Sequence, residues 1–221
     1  MNTLSSYTGK IIEVELSSKK NITGKLIEVG SDIVVLFNGK HFVYFPVKHI
    51  VSMRNGESTD NEFINTDSSP IDKNGNLMSL REILTNASGI FVEIYLSGNH
   101  TVYGYITHIQ DDYVVLESPV FKNVILPIAH IKWLIPYLSK TPYQIKTDQS
   151  KVIPRESFAH TFEDQLKTFT GKIVIFGFGK DPQNVGLLLK VGNNLVELIT
   201  GDGQILYLNI DHIKSLHGSH I

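Results

Sequence analysis

Histidine offers this sequence its widest choice of chemistry, because imidazole acts as acid, base or metal ligand near neutral pH. The 221-residue chain has nine histidines and no cysteine. The lack of cysteine excludes disulfides, thiolate metal sites and cysteine nucleophiles. Six histidines show no metal-ligand spacing within one predicted element. They are His41, His100, His108, His160, His217 and His220. The sequence therefore predicts no metal site and no cofactor.

The sequence carries no motif of a known catalytic site. There is no Gly-x-Ser-x-Gly, no phosphate-binding loop and no His-Glu-x-x-His. Gly177–Lys180 lacks the third glycine and the strand-to-helix setting of a dinucleotide site. Asp72–Asn76 resembles the start of a calcium loop, but Ile83 stands where the bidentate glutamate belongs. We therefore expect no catalytic residues and a protein that is not an enzyme.

Three segments of the chain share the same landmark residues. A glycine opens each segment, a second glycine follows fifteen residues later, a leucine stands twelve residues beyond, and a His-Ile pair closes it. The landmarks are Gly9, Gly24, Leu36, His49 and Ile50, then Gly89, Gly104, Leu116, His130 and Ile131, then Gly171, Gly186, Leu198, His212 and Ile213. The chain therefore contains three copies of one unit, and these residues are its structural signature.

The sequence pattern of each repeat predicts five short strands. In the first strand of the first repeat, Ile12, Val14 and Leu16 alternate with glutamates, which is typical of a sheet with one wet face. Ile173–Phe176, the corresponding strand of the third repeat, is apolar throughout. We expect it to be covered on both faces, by the core of its own repeat and by a neighbouring repeat or a partner. The glycine inside the second strand of each repeat indicates a bulge, a bend or a close backbone approach, as a small five-stranded barrel requires.

Two repeats are preceded by a predicted helix. Ser79–Glu82 fits a capping box, and an apolar stripe from Phe158 to Phe169 indicates a second helix. The first repeat has only Leu4 in the matching place, so its helix is expected to be truncated or missing. The predicted units are 1–55, 77–137 and 157–217, joined by polar linkers 56–76 and 138–156.

A helix, five bent strands, a glycine in the second strand and an aspartate before the third resemble Sm-like or SH3-like small barrels. The closing motifs resemble those of the spore coat protein B family of spore-forming Firmicutes. They are Lys48–Ser52, Ala129–Trp133 and Asp211–Ser215. The resemblance implies a mainly β fold of three tandem Sm-like five-stranded barrels. It also implies a structural protein of the spore coat or spore surface that contacts other coat proteins or itself.

The N-terminus shows neither the basic n-region nor the apolar h-region of a signal peptide. The apolar runs are strand-sized and shorter than the roughly 20 residues needed to span a bilayer. We therefore expect no membrane association, and synthesis in a cytoplasm without a signal peptide. The resemblance to spore coat protein B implies that this is the mother-cell cytoplasm.

RNA binding is the alternative function. The Sm-like bacterial RNA chaperone carries a Tyr-Lys-His motif that contacts uridine, and Phe45–His49 is similar to it. Ala129 and Asp211 replace the lysine in the other two repeats. Residues 1–55 hold seven basic and four acidic side chains (+3), whereas 79–137 hold three and five (−2) and 157–221 five and six (−1). The first repeat leaves RNA binding open, and the acidic repeats oppose it.

The remaining candidates are the closing histidines and a group of aromatic residues. Each histidine directly precedes the last strand, where an imidazole can satisfy backbone groups and close the unit, so we expect a structural role. The aromatic residues exceed what one small core can bury, which predicts either packing between adjacent repeats or a partner-binding face. They are Tyr95, Tyr103, Tyr105, Trp133 and Tyr137.

Overall fold

The structure is a computed structural model of the chain. It describes residues 3–57, 70–71, 78–96, 100–138, 142–144, 157–179 and 184–218. Fifteen strands and two α-helices lie within these residues, and every strand pairing described between them is antiparallel. The prediction of a mainly β fold is confirmed.

Each repeat contributes five strands. The first contributes β1 (Ile11–Leu16), β2 (Asn21–Val29), β3 (Ile33–Phe37), β4 (Phe42–Pro46) and β5 (Ile50–Asn55). The second contributes β6 (Phe91–Leu96), β7 (His100–Ile109), β8 (Tyr113–Ser118), β9 (Lys122–Pro127) and β10 (Ile131–Tyr137). The third contributes β11 (Ile173–Phe176), β12 (Val185–Gly192), β13 (Leu195–Thr200), β14 (Ile205–Asn209) and β15 (Leu216–Gly218).

The chain divides into two compact units that do not follow the repeat boundaries. Unit 1 comprises Met1–Tyr103 and Ile131–Thr147, and unit 2 comprises Gly104–His130 and Asp148–Ile221. The strand order in unit 1 is β6-β10-β4-β3-β2-β1-β5. In unit 2 it is β14-β13-β12-β11-β15-β9-β8, followed by the second half of β7. The first and third repeats each lie in one unit, whereas the second repeat contributes strands to both.

The first strand of each outer repeat alternates between buried and open positions. In β1, Ile12, Val14 and Leu16 are buried, as the alternating pattern predicts. In β11, Val174 and Phe176 are buried but Ile173 is exposed. The expectation that a neighbouring repeat covers the second face was therefore wrong at Ile173, and cover by a partner stays a prediction. One face of the strand is partly open, and isolated apolar side chains are common on protein surfaces.

The two predicted helices are present in front of the second and third repeats. They are α1 (Leu80–Asn86) and α2 (Phe162–Lys167). The capping box of α1 is confirmed, because Glu82 N donates to Ser79 Oγ (3.3 Å) and Ser79 N donates to Glu82 Oε2 (2.8 Å). The first repeat is preceded instead by a short 3₁₀-helix, Thr3–Tyr7.

The glycine of the second strand allows the adjacent strand to approach closely. A Cβ atom at this position would overlap a carbonyl oxygen of the neighbouring strand in every repeat. The overlapping pairs are Gly24 with Phe37, Gly104 with Glu117 and Gly186 with Ile199. A register shift follows two to four residues later in β2, β7 and β12. The landmark therefore combines a close approach with a nearby bulge.

The glycine that opens each repeat has a left-handed backbone. The φ angles of Gly9, Gly89 and Gly171 are +84°, +75° and +79°. Side chains other than glycine rarely adopt this region without cost. The shared conformation explains why a glycine stands between the helix and the first strand in all three repeats.

Candidate protein-interaction site

Two neighbouring repeats are joined in unit 1 by strand pairing. The last strand of the second repeat, β10, lies antiparallel to β4 of the first repeat, with Leu134 opposite Tyr44. Val35 pairs with Tyr44 on one side and Ile94 with Leu134 on the other, so four side chains form one row across four strands. All four are fully buried. We call this pairing the first junction.

A second junction has the same construction in unit 2. The last strand of the third repeat, β15, lies antiparallel to β9 of the second repeat, with Leu216 opposite Ile125. Val115 and Phe176 extend the row on either side. All four side chains belong to one buried hydrophobic cluster. Burial of such a row is the main source of its stability.

The two junctions use the same positions of the repeat. Tyr44 and Ile125 each stand five residues before the closing histidine of their own repeat. Leu134 and Leu216 each stand four residues after the closing histidine of theirs. We call the first position the acceptor position and the second the donor position. Sequence reasoning missed this pairing, because the two strands belong to different repeats and no local pattern links them.

An aspartate fixes the following helix at each junction. Asp32 Oδ1 accepts a hydrogen bond from Leu80 N (2.7 Å), and Asp112 Oδ1 accepts one from Phe162 N (2.8 Å). Both aspartates directly precede the third strand of their repeat, and the donors are the first residues of α1 and α2. In the sequence these aspartates stand out only as the residues before the third strand, and nothing beside them indicates a contact with a helix. The sequence offered one signal of their role. The third repeat has Asn194 at the position that the two aspartates occupy in the first and second repeats.

Tyr113 makes a further contact at the second junction. Its hydroxyl donates to Ala159 O (2.6 Å) and lies 3.2 Å from Gln165 Oε1. Burial, with a smaller contribution from the charge of Asp112, raises the pKa of Tyr113 far above its ordinary value. The hydroxyl therefore stays protonated and remains a donor to the segment in front of the third repeat.

The three closing histidines differ in their surroundings. His49 is buried, and its Nδ1 lies 2.9 Å from Lys132 Nζ of the second repeat. The same ammonium donates to Ser17 Oγ (3.2 Å). His130 is half-buried and His212 is exposed. His49 is thus part of the first junction. The structural role expected for the three histidines stays a prediction.

Two of the five aromatic residues proposed for a partner face are buried within unit 1. Tyr95 is 2% exposed and Trp133 is 7% exposed. Their rings stack with centroids 3.8 Å apart, and the ring of Phe45 meets Trp133 edge-on at 6.4 Å. Phe45 belongs to the first repeat and the other two to the second, so these rings pack between adjacent repeats. They do not lie on an open face.

The other three tyrosines of that group are half-buried. Tyr137 OH donates to Glu93 Oε2 (3.0 Å), and the ring of Tyr103 meets that of Tyr143 edge-on. Burial raises the pKa of both Tyr103 and Tyr137, and the charge of Glu93 adds to the effect. A partner face formed by Tyr103, Tyr105 and Tyr137 stays a prediction.

Two strand edges carry exposed apolar side chains. On β14, Ile205 is 56% and Tyr207 60% exposed, and β13 is the one strand that pairs with β14 in the described part of the chain. Beside this edge lies a groove of about 270 Å³ lined in part by Leu195, Glu197 and Tyr207. On β5, Val51 is 62% exposed, and among the described residues β5 pairs with β1 alone. Such edges can pair with another chain.

The described residues contain no group of three or more histidine, aspartate or glutamate side chains placed to hold a metal ion. None of their helices is long and apolar enough to cross a membrane. The predicted calcium-like segment Asp72–Asn76, His220 and most of linkers 56–76 and 138–156 lie outside the described residues.

Comparison with known proteins gives three matches. A family model described as the YwrJ third domain matches residues 161–216. The YwrJ protein of Bacillus subtilis (strain 168) is 34% identical over 223 residues, which cover 98% of this chain and 99% of YwrJ. Spore coat protein B of the same organism is 25% identical over 141 residues, which cover 64% of this chain and 35% of that protein. Because the similarity to YwrJ extends over essentially the whole of both chains, the chain belongs to the YwrJ family.

Proposed function

We propose that this protein is a non-enzymatic structural protein of the bacterial spore coat that acts through protein–protein contacts at its strand edges. The observation that carries the proposal is the repeated junction, in which an edge strand of one repeat extends the sheet of the next. A fold that joins its own repeats in this way has a ready mode of binding other chains. The partial similarity to spore coat protein B supports the location.

We also propose that each repeat is a small barrel of the Sm-like or SH3-like kind. In all three repeats the last strand returns to pair with the first, as in β5 with β1, β10 with β6 and β15 with β11. The close approach at the second-strand glycine and the adjacent bulge supply the curvature that such closure needs.

Spore fractionation tests the proposed function. We expect the protein to be made during sporulation and recovered with coat extracts, without a catalytic contribution to assembly. Tyr207→Lys should lower its recovery in the coat fraction at unchanged cellular level, because it places a charge on the open edge of β14. Leu138→Lys is the matched control, since Leu138 is 59% exposed and Tyr207 60%.

RNA binding is the outcome that would replace this proposal. Its sign would be recovery of the protein from vegetative cells in complex with small RNA. In vitro, a U-rich oligonucleotide would bind at micromolar concentration or below, and its affinity would fall steeply with salt. Weak binding with little dependence on salt would leave the coat proposal in place.

A further inference from the structure

One donor position and one acceptor position remain unused in the described part of the chain. The acceptor positions are Tyr44, Ile125 and Tyr207, and the donor positions are Met53, Leu134 and Leu216. Leu134 pairs with Tyr44 and Leu216 with Ile125. Met53, on β5, and Tyr207, on β14, have no such pairing among the described strands. The two unused positions are complementary by the rule that both junctions follow.

We propose that β5 of one copy of this protein pairs antiparallel with β14 of a second copy, with Met53 opposite Tyr207. The proposal rests on the proposed function in that it names a partner for the same strand edges. The association is heterologous, because a donor edge meets a different acceptor edge. Each added copy therefore presents a fresh donor or acceptor, and the chains join head to tail.

Burial separates the used acceptor positions from the unused one. Tyr44 is 0% and Ile125 3% exposed, whereas Tyr207 is 60% exposed. The contrast continues at the start of the third strand, where Ile33 and Tyr113 are buried and Leu195 is exposed. The sequence thus keeps large apolar side chains at positions that are covered in the first two repeats. An exposed apolar edge of this kind is typical of an interaction surface.

Charge also favours a second copy as the occupant. Residues 1–55, which hold the donor edge, carry seven basic and four acidic side chains. Residues 157–221, which hold the acceptor edge, carry five basic and six acidic side chains. A basic donor end and an acidic acceptor end attract each other, and they disfavour donor–donor and acceptor–acceptor contacts.

The junction between copies differs from the internal ones in its helix contact. Asn194 replaces the helix-binding aspartate on the acceptor side, and the Asn194 side chain donates to Asp211 Oδ2 (2.8 Å) within its own repeat. On the donor side, the 3₁₀-helix Thr3–Tyr7 stands where α1 and α2 precede the other repeats. The third repeat thus lacks the aspartate that would bind a helix, and the first repeat lacks the α-helix that such an aspartate would bind.

Glu197 stands at the position that Val35 and Val115 occupy in the buried rows of the two internal junctions. We therefore expect reversible association that depends on concentration.

The first test measures mass against concentration with the full chain. Sedimentation from about 1 µM to about 500 µM should show growth beyond the monomer, as expected for a moderate affinity. Val51→Asp and Tyr207→Lys should each abolish this growth, because both change exposed side chains at the two edges. Val120→Asp and Leu138→Lys are matched controls, at 62% and 59% exposure, and should behave as wild type. Circular dichroism checks that every variant is folded.

Mixing the two edge variants tests the head-to-tail rule. The Val51→Asp chain keeps its acceptor edge and the Tyr207→Lys chain keeps its donor edge, so the mixture should form a dimer and nothing larger. If like edges paired instead, mixing the two variants would not restore association. A wild type that stays monomeric throughout, or an oligomer that survives both edge variants, would overturn the proposal.

Disulfide trapping tests the register, and the absence of cysteine from the chain makes it specific. Oxidation of a Met53→Cys and Tyr207→Cys mixture should give a cross-linked dimer. Directly opposed residues bring their Cβ atoms to about 4.5–5.5 Å, and a small movement of the strands reaches the roughly 3.5–4.5 Å that a disulfide spans. Arg54→Cys in place of Met53→Cys is the control, since residue 54 faces the other side of the strand. Equal cross-linking by Arg54→Cys would overturn the proposed register.

Failure of this inference is distinguishable from failure of the proposed function. A protein that is monomeric in solution, yet needs Tyr207 to reach the coat, would bind another coat protein at β14 and refute only the pairing of two copies. A protein that associates head to tail but is absent from the coat would refute the proposed location.

Discussion

Leu134 and Tyr44 face each other across β10 and β4, and neither side chain is reached by solvent. One residue comes from the second repeat and the other from the first, yet both lie in the same compact unit. The pairing of Leu216 with Ile125 repeats this relationship at the same repeat positions. Strand pairing between repeats is therefore a rule of the fold.

Truncation of the first junction should destabilise unit 1. Leu134→Ala removes apolar atoms from a closed row, so we expect the free energy of unfolding to fall by about 2–5 kcal/mol. Leu138→Ala changes an exposed leucine four residues further along and should shift it by less than about 0.5 kcal/mol. Urea denaturation followed by the fluorescence of Trp133 reports on this unit. Equal losses in the two variants would contradict the role of the junction.

The aspartate before β8 should stabilise the attachment of α2. Asp112→Ala removes the acceptor of the Phe162 amide and should cost about 0.5–2 kcal/mol, as for loss of a helix cap. Asp112→Asn keeps a side-chain oxygen and should recover most of the loss. Thermal unfolding by circular dichroism gives the comparison. Equal losses of stability in Asp112→Asn and Asp112→Ala would show that the acceptor oxygen does not stabilise the attachment of α2.

The glycine of the second strand should tolerate no side chain. Gly104→Ala places a Cβ against the carbonyl oxygen of Glu117, so the strand must shift, and we expect a loss of more than about 2 kcal/mol. Gly192→Ala is the matched control, because nothing lies within 4 Å of its added Cβ. Both variants are compared by chemical denaturation. A loss at Gly192 as large as at Gly104 would show that glycine itself, rather than close approach, is needed.

Stability should depend on pH through His41. Burial, and then the charge of Lys40, lower the pKa of His41 below its ordinary value of 6.5, so the folded protein favours the neutral ring more strongly than the unfolded chain does. As pH falls through about 6.5, the unfolded chain therefore binds more protons than the folded chain, and the free energy of unfolding decreases. His41→Gln should flatten this dependence between about pH 7.5 and pH 5.5. Parallel pH curves for wild type and variant would refute it.

Local chemistry made part of the fold predictable. The alternation in β1 indicated Ile12, Val14 and Leu16 as core residues, and Ser79 with Glu82 indicated the start of α1. Both features depend on neighbours a few residues apart. The apolar sequence of β11 did not show that Ile173 is exposed within this chain, because periodicity does not show whether a second layer covers the outer face.

The candidate site was harder to predict than the elements. The pairing of Tyr44 with Leu134 joins residues ninety positions apart, and nothing in either strand names its partner. Tyr95 and Trp133 belong to the aromatic group for which the sequence predicts either packing between repeats or a partner-binding face. The structure places both in packing between repeats, because the neighbouring repeat supplies the rest of the core.

Because the second repeat contributes strands to both units, we expect the repeats to stay associated when the chain is cleaved in a linker. Severing the peptide chain between residues 57 and 78 would not release the first repeat, because β4 stays paired with β10. Nicked protein should therefore migrate as one species in native conditions and as two fragments in denaturant. The smallest fragments that fold alone are determined by strand pairing between repeats. Fragments that end at the linkers would therefore each contain an incomplete hydrophobic core.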